Sequence, residues 1–224
     1  MDMNGINTNL DLNFMAHKNP PPVVLATCNV GKIREFSETL GDAHLSIICQ
    51  SDLEIPAVEE TGLSFIENAI IKARHAALHS NLPALGEDSG LEVDMLNGAP
   101  GIYSARYAAK NNTSSHIDAE NNKKLLSELI AAAEEERTAR FQCVLVLLKH
   151  ERDPSPLICQ GTWEGRILFS PRGENGFGYD PLFYVPTHAV SAAELPSAIK
   201  NKISHRAIAI RKLIQRLWTK QLVA

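Results

Sequence analysis

Apolar and polar positions follow two different periods along the 224-residue chain. After Pro20-Pro21-Pro22, the apolar run Val23 to Ala26 predicts a strand, Gly31 to Leu40 a helix and Leu45 to Cys49 a second strand. A clearer helix opens at Ser64, where Ser64-Phe65-Ile66-Glu67 has the spacing of a capping box, with oxygen acceptors at the N-cap and N3 positions. It runs to about His79. Ile66, Ile70, Ala73 and Ala77 make its apolar stripe, while Asn68 and Lys72, four apart, share a different face.

Beyond Pro83, "PALGEDSG" and "LEVD" read as a strand, a tight turn and a second strand, which puts Asp88 at a strand end. "NGAPGIYSARY" reads as a loop. A helix is predicted over Ile117 to Glu136, its closing acids Glu134 to Glu136 forming a solvated face. "ARFQCVLVLLKH" is a long β-type run, and "PLICQGTWEGRILF" continues it as strands of an antiparallel meander. "SPRGENGFGYDPLFY" is a glycine-rich loop, and "SHRAIAIRKLIQRLW" an amphipathic helix with Ser204 as N-cap. Helices alternate with strands early and strands cluster late, so the fold class is α/β with a mixed sheet, one domain with two lobes over residues 20–224. Residues 1–19 are Asn-rich, carry acids and lack an apolar signal-peptide core, and they read as a disordered extension.

Composition narrows the function classes only a little. A net charge of −4 argues against a protein that coats nucleic acid. No run is apolar and long enough to span a bilayer, so no membrane partner is expected. Cys28, Cys49, Cys143 and Cys159 form no C-x-x-C pair, which favours a reducing, cytoplasmic setting.

The candidate chemistry begins at "VVLATCNVGKIREF". A strand leads through Thr27-x-Asn29-x-Gly31-Lys32 into a helix start, offering backbone N–H groups, the positive end of the helix dipole and one ammonium. Such a set suits a polyphosphate, although an isolated loop of this kind fits an ordinary βα turn slightly better. Ala26 and Ile33 replace the first glycine and the metal-binding hydroxyl of a Walker A loop, so any metal must be held elsewhere. Glu59, Glu60 and Asp88 are the candidates, because Mg²⁺ commonly binds one or two carboxylates plus substrate phosphate. Phe177 and Tyr179 beside Asp180 offer an aromatic face for a base and an acceptor for its edge. Lys200, His205 and Arg206 surround a helix start and make an anion or carbonyl-oxygen site. His75 and His79 lie four apart like zinc-protease histidines, but Ala76 replaces the required Glu, so they read as a simple helical pair.

Taken together, "LATCNVGKIREF", "EETGLSFIENAIIKARHAA", "EDSGLEVDMLNGAPGIYSARY", "GFGYDPLF", "AAEL" and "ISHRAIA" resemble the inosine/xanthosine triphosphate pyrophosphatase family, in that family's order from about Val23 to Leu217. The resemblance implies a two-lobed α/β fold around a long twisted mixed sheet flanked by helices, with the active cleft between the lobes. It implies Mg²⁺-dependent hydrolysis of ITP, dITP and XTP to monophosphate and pyrophosphate, usually by a homodimer. It assigns the triphosphate to Thr27, Asn29, Gly31, Lys32 and Lys72, catalysis and metal binding to Asp88, further metal contacts to Glu60 and Glu59, and a substrate contact to Ser89. Phe177, Gly178, Tyr179, Asp180, Lys200, His205 and Arg206 match its base-recognition set. Glu87 stands where that family often has aspartate, and its extra methylene argues against a direct metal contact. Two rival readings remain open on the residues alone: a related pyrophosphatase for pyrimidine triphosphates, and a nucleotide-sensing or RNA-binding module.

Overall fold

The computed structural model describes residues 22–40, 45–108 and 117–222; the extension expected at 1–19 lies outside them. The elements in chain order are β1 (Val23–Ala26), α1 (Val30–Leu40), β2 (Ile47–Cys49), α2 (Phe65–Ser80), β3 (Ala84–Val93), α3 (Ile117–Glu128), β4 (Thr138–Leu148), β5 (Leu157–Ile167), β6 (Phe183–Val185), β7 (Val190–Ser191), α4 (Ser197–Ile203) and α5 (His205–Leu222). One sheet carries all seven strands in the order β2-β1-β3-β4-β5-β6-β7. β1 runs parallel to β2 and β3, and every later pairing is antiparallel, giving the mixed sheet expected. All four residues of β1 are buried, as a strand with neighbours on both edges and helices on both faces requires.

Among the described residues four apolar clusters cover this sheet, one of them Val24, Ala26 and Ala84 against Ile55 and against Ala76 and Ala77 of α2. Leu85, Cys143 and Leu145 pack against Phe36 of α1 and Ile210 and Leu213 of α5. On the other face, Ala69 and Ala73 of α2 pack on Val144, Val146 and Leu148. The second lobe is built around Leu91, Phe141, Trp163 and Phe183, with Leu125 and Leu129 beneath them. Two glycines set the helices close to the strands. A Cβ on Gly86 would lie 2.1 Å from the Ala69 carbonyl oxygen, and one on Gly161 would lie 2.0 Å from that of His205.

The structure corrects several sequence expectations. Residues 84–93 form one continuous strand with no turn, because β4 pairs with all ten of them, Asp88 opposite Val144. Asp88 is therefore not at the end of its own strand. It lies two residues beyond Gly86, the last β3 residue that β1 reaches, so the strand end that opens the site belongs to β1. β5 is likewise one strand of 11 residues.

The helix expected over 117–136 stops at Glu128, and Glu134–Glu136 form a separate 3₁₀ turn. Buried Arg137 ends it, donating from Nη1 to the Leu129 carbonyl at 2.7 Å. On α2 the buried stripe is Ala69, Ala73, Ala76 and Ala77, with Ile66 38% exposed, because the close approach at Gly86 leaves room only for methyl groups. At the start of α2, Ser64 Oγ accepts the Glu67 N–H as expected, but the Glu67 carboxylate takes the Leu63 N–H and the Ser64 hydroxyl. The short α4 was not anticipated. It ends at Ser204, whose Oγ accepts the Ala207 N–H at 3.3 Å, the expected cap of α5.

Candidate active site

The loop from β1 to α1 is held by its own polar side chains. Thr27 Oγ1 accepts the Asn29 N–H at 3.2 Å, and Asn29 Oδ1 accepts the Lys32 N–H at 2.9 Å, which makes Asn29 the N-cap of α1. Exposed Cys28 takes a hydrogen bond from Gln50 Nε2 at 3.0 Å. Gly31 is needed where it stands, since a Cβ there would lie 2.7 Å from the ring of Phe177.

β3 crosses behind this loop and sorts its acids by parity, because successive side chains leave a strand on opposite faces. Glu87 is wholly buried on the α1/α5 face, with Lys32 Nζ 2.7 Å and Arg206 Nη2 2.9 Å away. Burial opposes its ionisation, yet Lys32 and Arg206 hold its carboxyl well below the usual carboxylate range. Asp88 leaves on the α2 face. Lys72 Nζ lies 2.8 Å from Asp88 Oδ1 and 2.9 Å from Glu60 Oε1, Asn68 Nδ2 donates to Asp88 Oδ2 at 3.4 Å, and Arg106 Nη1 to Glu60 Oε2 at 3.3 Å. Burial pushes the Asp88 carboxyl up, against the pull of Lys72 and Lys32. Lys72 is half-buried, which opposes its charge, but Asp88 and Glu60 hold its ammonium above the ordinary lysine value.

The glycine-rich loop forms the opposite wall. Asp180 Oδ2 accepts the Phe177 N–H at 2.9 Å, and Gly176 (φ +76°) has no room for a Cβ, which would lie 2.0 Å from that same oxygen. Phe177 is half-buried, with Lys200 Nζ 5.1 Å and the Arg206 guanidinium carbon 5.9 Å from its ring centre. Tyr179 was expected to offer a second face to a base. Instead it is buried in the second lobe and donates to the Ser104 carbonyl at 2.8 Å. Gly178 donates to Asp118 and accepts from Asn122, which ties the loop to α3. His205 lies flat on Phe141, ring centres 4.8 Å apart at 13°. Burial, with Arg206 and Lys200 nearby, pushes its pKa well down, so the imidazole is neutral, and its buried Nδ1 has no partner among the described residues. Between the walls lies an open cleft bordered by Asn29, Lys32, Ser89, Phe177, His205 and Arg206 among others.

Beneath the cleft runs a buried chain of alternating charge. Asp180 pairs with Lys200, Lys200 with Glu35 at 2.9 Å, Glu35 with Arg206, Arg206 with Glu87 and Glu87 with Lys32. Arg206 also donates to Ser89 Oγ at 3.0 Å. Of the expected base-recognition set, Asp180, Lys200 and Arg206 are thus tied to one another through ion pairs, while Phe177 and His205 border the cleft outside those pairs. Glu35 is the member sequence reasoning missed. A signal existed: an acid three residues after Lys32 and next to Phe36, on the buried side of an amphipathic helix.

The expected metal ligands divide. Glu60 and Asp88 share one cation, the Lys72 ammonium, whereas Glu59 is exposed and takes no part in those contacts. Among the described residues no three His, Cys, Asp or Glu side chains converge as a metal cage. His75 Nε2 donates to the Pro56 carbonyl, 2.9 Å away, and the ring packs on His79, as a plain helical pair would.

An open mixed sheet flanked by helices, with a cleft lined by lysines, carboxylates and aromatic rings beside the end of β1, defines an α/β protein with a small-molecule site of the kind such sheets carry. The chain belongs to the Ham1 family, whose model matches residues 23–216. It is 54% identical over 195 residues to a dITP/XTP pyrophosphatase of Vibrio parahaemolyticus, covering 87% of this chain and 96% of that one. It is 53% identical over 195 residues to the dITP/XTP pyrophosphatase of Escherichia coli, at 87% and 97% coverage. Among solved structures, a HAM1 protein from Coxiella burnetii superposes with a TM-score of 0.81 at 51% identity, covering 89% of this chain and 99% of that one. No helix among the described residues is long and apolar enough to cross a membrane.

Proposed function

We propose that this chain hydrolyses non-standard purine nucleoside triphosphates, dITP, ITP and XTP, to the nucleoside monophosphate and pyrophosphate. The observation that carries the reading is the placement of Asp88. It is a buried carboxylate with raised pKa, held 2.8 Å from Lys72 just past the end of β1, while Lys32 stands on the other side of the same strand. The names of the close relatives, dITP/XTP pyrophosphatases, support dITP and XTP among these substrates.

In this reading Lys32 and Lys72 bind the triphosphate, each exchanging a carboxylate partner for phosphate oxygens. Asp88 orients a water and takes its proton as the water attacks the α-phosphorus; its raised pKa brings it closer to that task. The base rests on Phe177. His205, neutral and held flat by Phe141, presents Nδ1 to the purine edge. In the tautomer with hydrogen on Nδ1 it donates to a 6-oxo group, where adenine would oppose it with an amino donor. Sites of this kind discriminate by roughly 10⁴–10⁵-fold.

Mg²⁺ fits the donor set. Glu60 and Asp88 are hard oxygen ligands close enough to share one cation, as the Lys72 contacts show, with substrate phosphate completing the sphere. Bound there, it would neutralise the triphosphate and the departing pyrophosphate. A homodimer in the cytoplasm completes the proposal, supported by the family resemblance and by four free thiols without a disulfide.

The test is a panel of triphosphates assayed separately for pyrophosphate and for orthophosphate. Pyrophosphate release from dITP and XTP far exceeding that from dATP, dGTP and dUTP supports the proposal. Orthophosphate release, or equal rates across the panel, sinks it.

A further inference from the structure

We infer that Lys72 is the resident counter-ion of the metal site, and that a divalent cation enters only as the Lys72 ammonium leaves for the triphosphate. The inference rests on the proposed metal reading and concerns the order of events within it. Every carboxylate oxygen of the Glu60–Asp88 pair already has a donor. Lys72 Nζ bridges Glu60 Oε1 at 2.9 Å and Asp88 Oδ1 at 2.8 Å, Arg106 holds Glu60 Oε2, and Asn68 holds Asp88 Oδ2. The ammonium stands between the two oxygens that would have to turn to a metal, and its side chain is only 12% exposed, so water screens it poorly.

An ammonium and a divalent cation cannot both occupy that place, because two positive charges a few ångströms apart in a partly buried site repel strongly. One of them must move, and only Lys72 has somewhere to go. Its Cα is fixed on α2 between the buried Ala69 and Ala73, but its four-carbon stem can carry the charge toward the cleft. Nothing rewards that motion until an anion arrives. A triphosphate supplies the anion and brings its own metal, so metal and nucleotide assist each other. The coupling is reciprocal. Before substrate binds, Lys72 holds Glu60 and Asp88 together in their metal-ready arrangement and rejects free cations.

The experiment titrates Mn²⁺, followed by its paramagnetic resonance signal, into nucleotide-free wild type, Lys72→Met and Lys72→Arg, and repeats each titration with an α,β-methylene dITP analogue. The expected result is tighter Mn²⁺ binding by nucleotide-free Lys72→Met than by wild type, by roughly 5–150-fold, the usual span of such couplings. Lys72→Arg, which retains a charge, stays weak. Equal Mn²⁺ affinity in nucleotide-free wild type and Lys72→Met overturns the inference while leaving the metal reading intact. No Mn²⁺ bound to any of the three, even with the analogue, overturns the metal reading itself. Circular dichroism checks the fold, and Lys72→Gln, tested in the same way with the same expected direction, replaces Lys72→Met should that variant fail to fold.

Discussion

Glu87 and Asp88 are neighbours in β3, yet they leave the sheet on opposite faces and answer to different lysines, Lys32 at 2.7 Å and Lys72 at 2.8 Å. The two acids consequently have opposite characters. Glu87 is locked as a carboxylate between Lys32 and Arg206, a partner for cations rather than a reagent. Asp88 has its pKa raised by burial and is held by Lys72 and Asn68 on the α2 face. A single methylene separates these side chains chemically; strand parity separates them functionally.

Asp88→Asn therefore removes the proton acceptor while keeping shape. We expect kcat for dITP to fall by about 10²–10⁴-fold, the usual contribution of a positioned base. Nucleotide affinity, measured by equilibrium titration, should be retained. Normal turnover in this variant would remove Asp88 from the chemistry.

Phe177 is the aromatic wall with open space before it. Phe177→Ala should weaken nucleotide binding by about 1–3 kcal/mol, the worth of one stacked base. The loss should appear as a raised KM with a smaller change in kcat, and equally for dITP and XTP. An unchanged KM would show that the base lies elsewhere.

Gly31 and Gly86 make a contrasting pair. At Gly31 a new methyl would meet the Phe177 ring at 2.7 Å, and a ring can swing aside; at Gly86 it would meet the Ala69 backbone oxygen at 2.1 Å, which cannot. We expect Gly31→Ala to fold with near-normal thermal stability but a raised KM, because it displaces the wall that receives the base. Gly86→Ala should lose about 1–3 kcal/mol or more through overpacking. Thermal melts and KM measured side by side separate the two; equal losses of stability would refute the assignment of Gly31.

Much of this site was legible in the chain. The T-x-N-x-G-K loop leading from strand to helix and the capped helix bearing Lys72 are local motifs, and both elements form where the sequence predicts them. What local reading missed depends on partners far along the chain. "GEDSG" looks like a turn because two acids, a serine and glycines suit turns. It is strand because β4 supplies a complete hydrogen-bond ladder and Lys32, Arg206 and Lys72 neutralise its charges from both faces. Glu35 went unnoticed for the same reason: its partners Lys200 and Arg206 are 165 and 171 residues away. Tyr179 looked like a base-stacking residue beside Phe177, and only the fold shows that it faces inward to Ser104.

Glu35 also sets a pH dependence of stability. Burial disfavours its charge, but Arg206 and Lys200 hold its pKa below the ordinary 4.5. Because the folded value is the lower one, its stabilisation is present above pH 4.5 and is lost as pH falls through the folded value. Glu35→Gln should cost about 3–5 kcal/mol at neutral pH by leaving two buried cations short of a partner. It should also flatten the decline of stability below pH 4.5, read by chemical denaturation across the range. An acid limb as steep as that of wild type would place the titrating groups elsewhere.

The central claim is that water attacks the α-phosphorus, with pyrophosphate leaving. Hydrolysis of dITP in ¹⁸O-labelled water, followed by mass spectrometry of both products, tests it most directly. The account predicts one labelled oxygen in the monophosphate and none in the pyrophosphate. Label in the pyrophosphate, or a labelled orthophosphate, would contradict it.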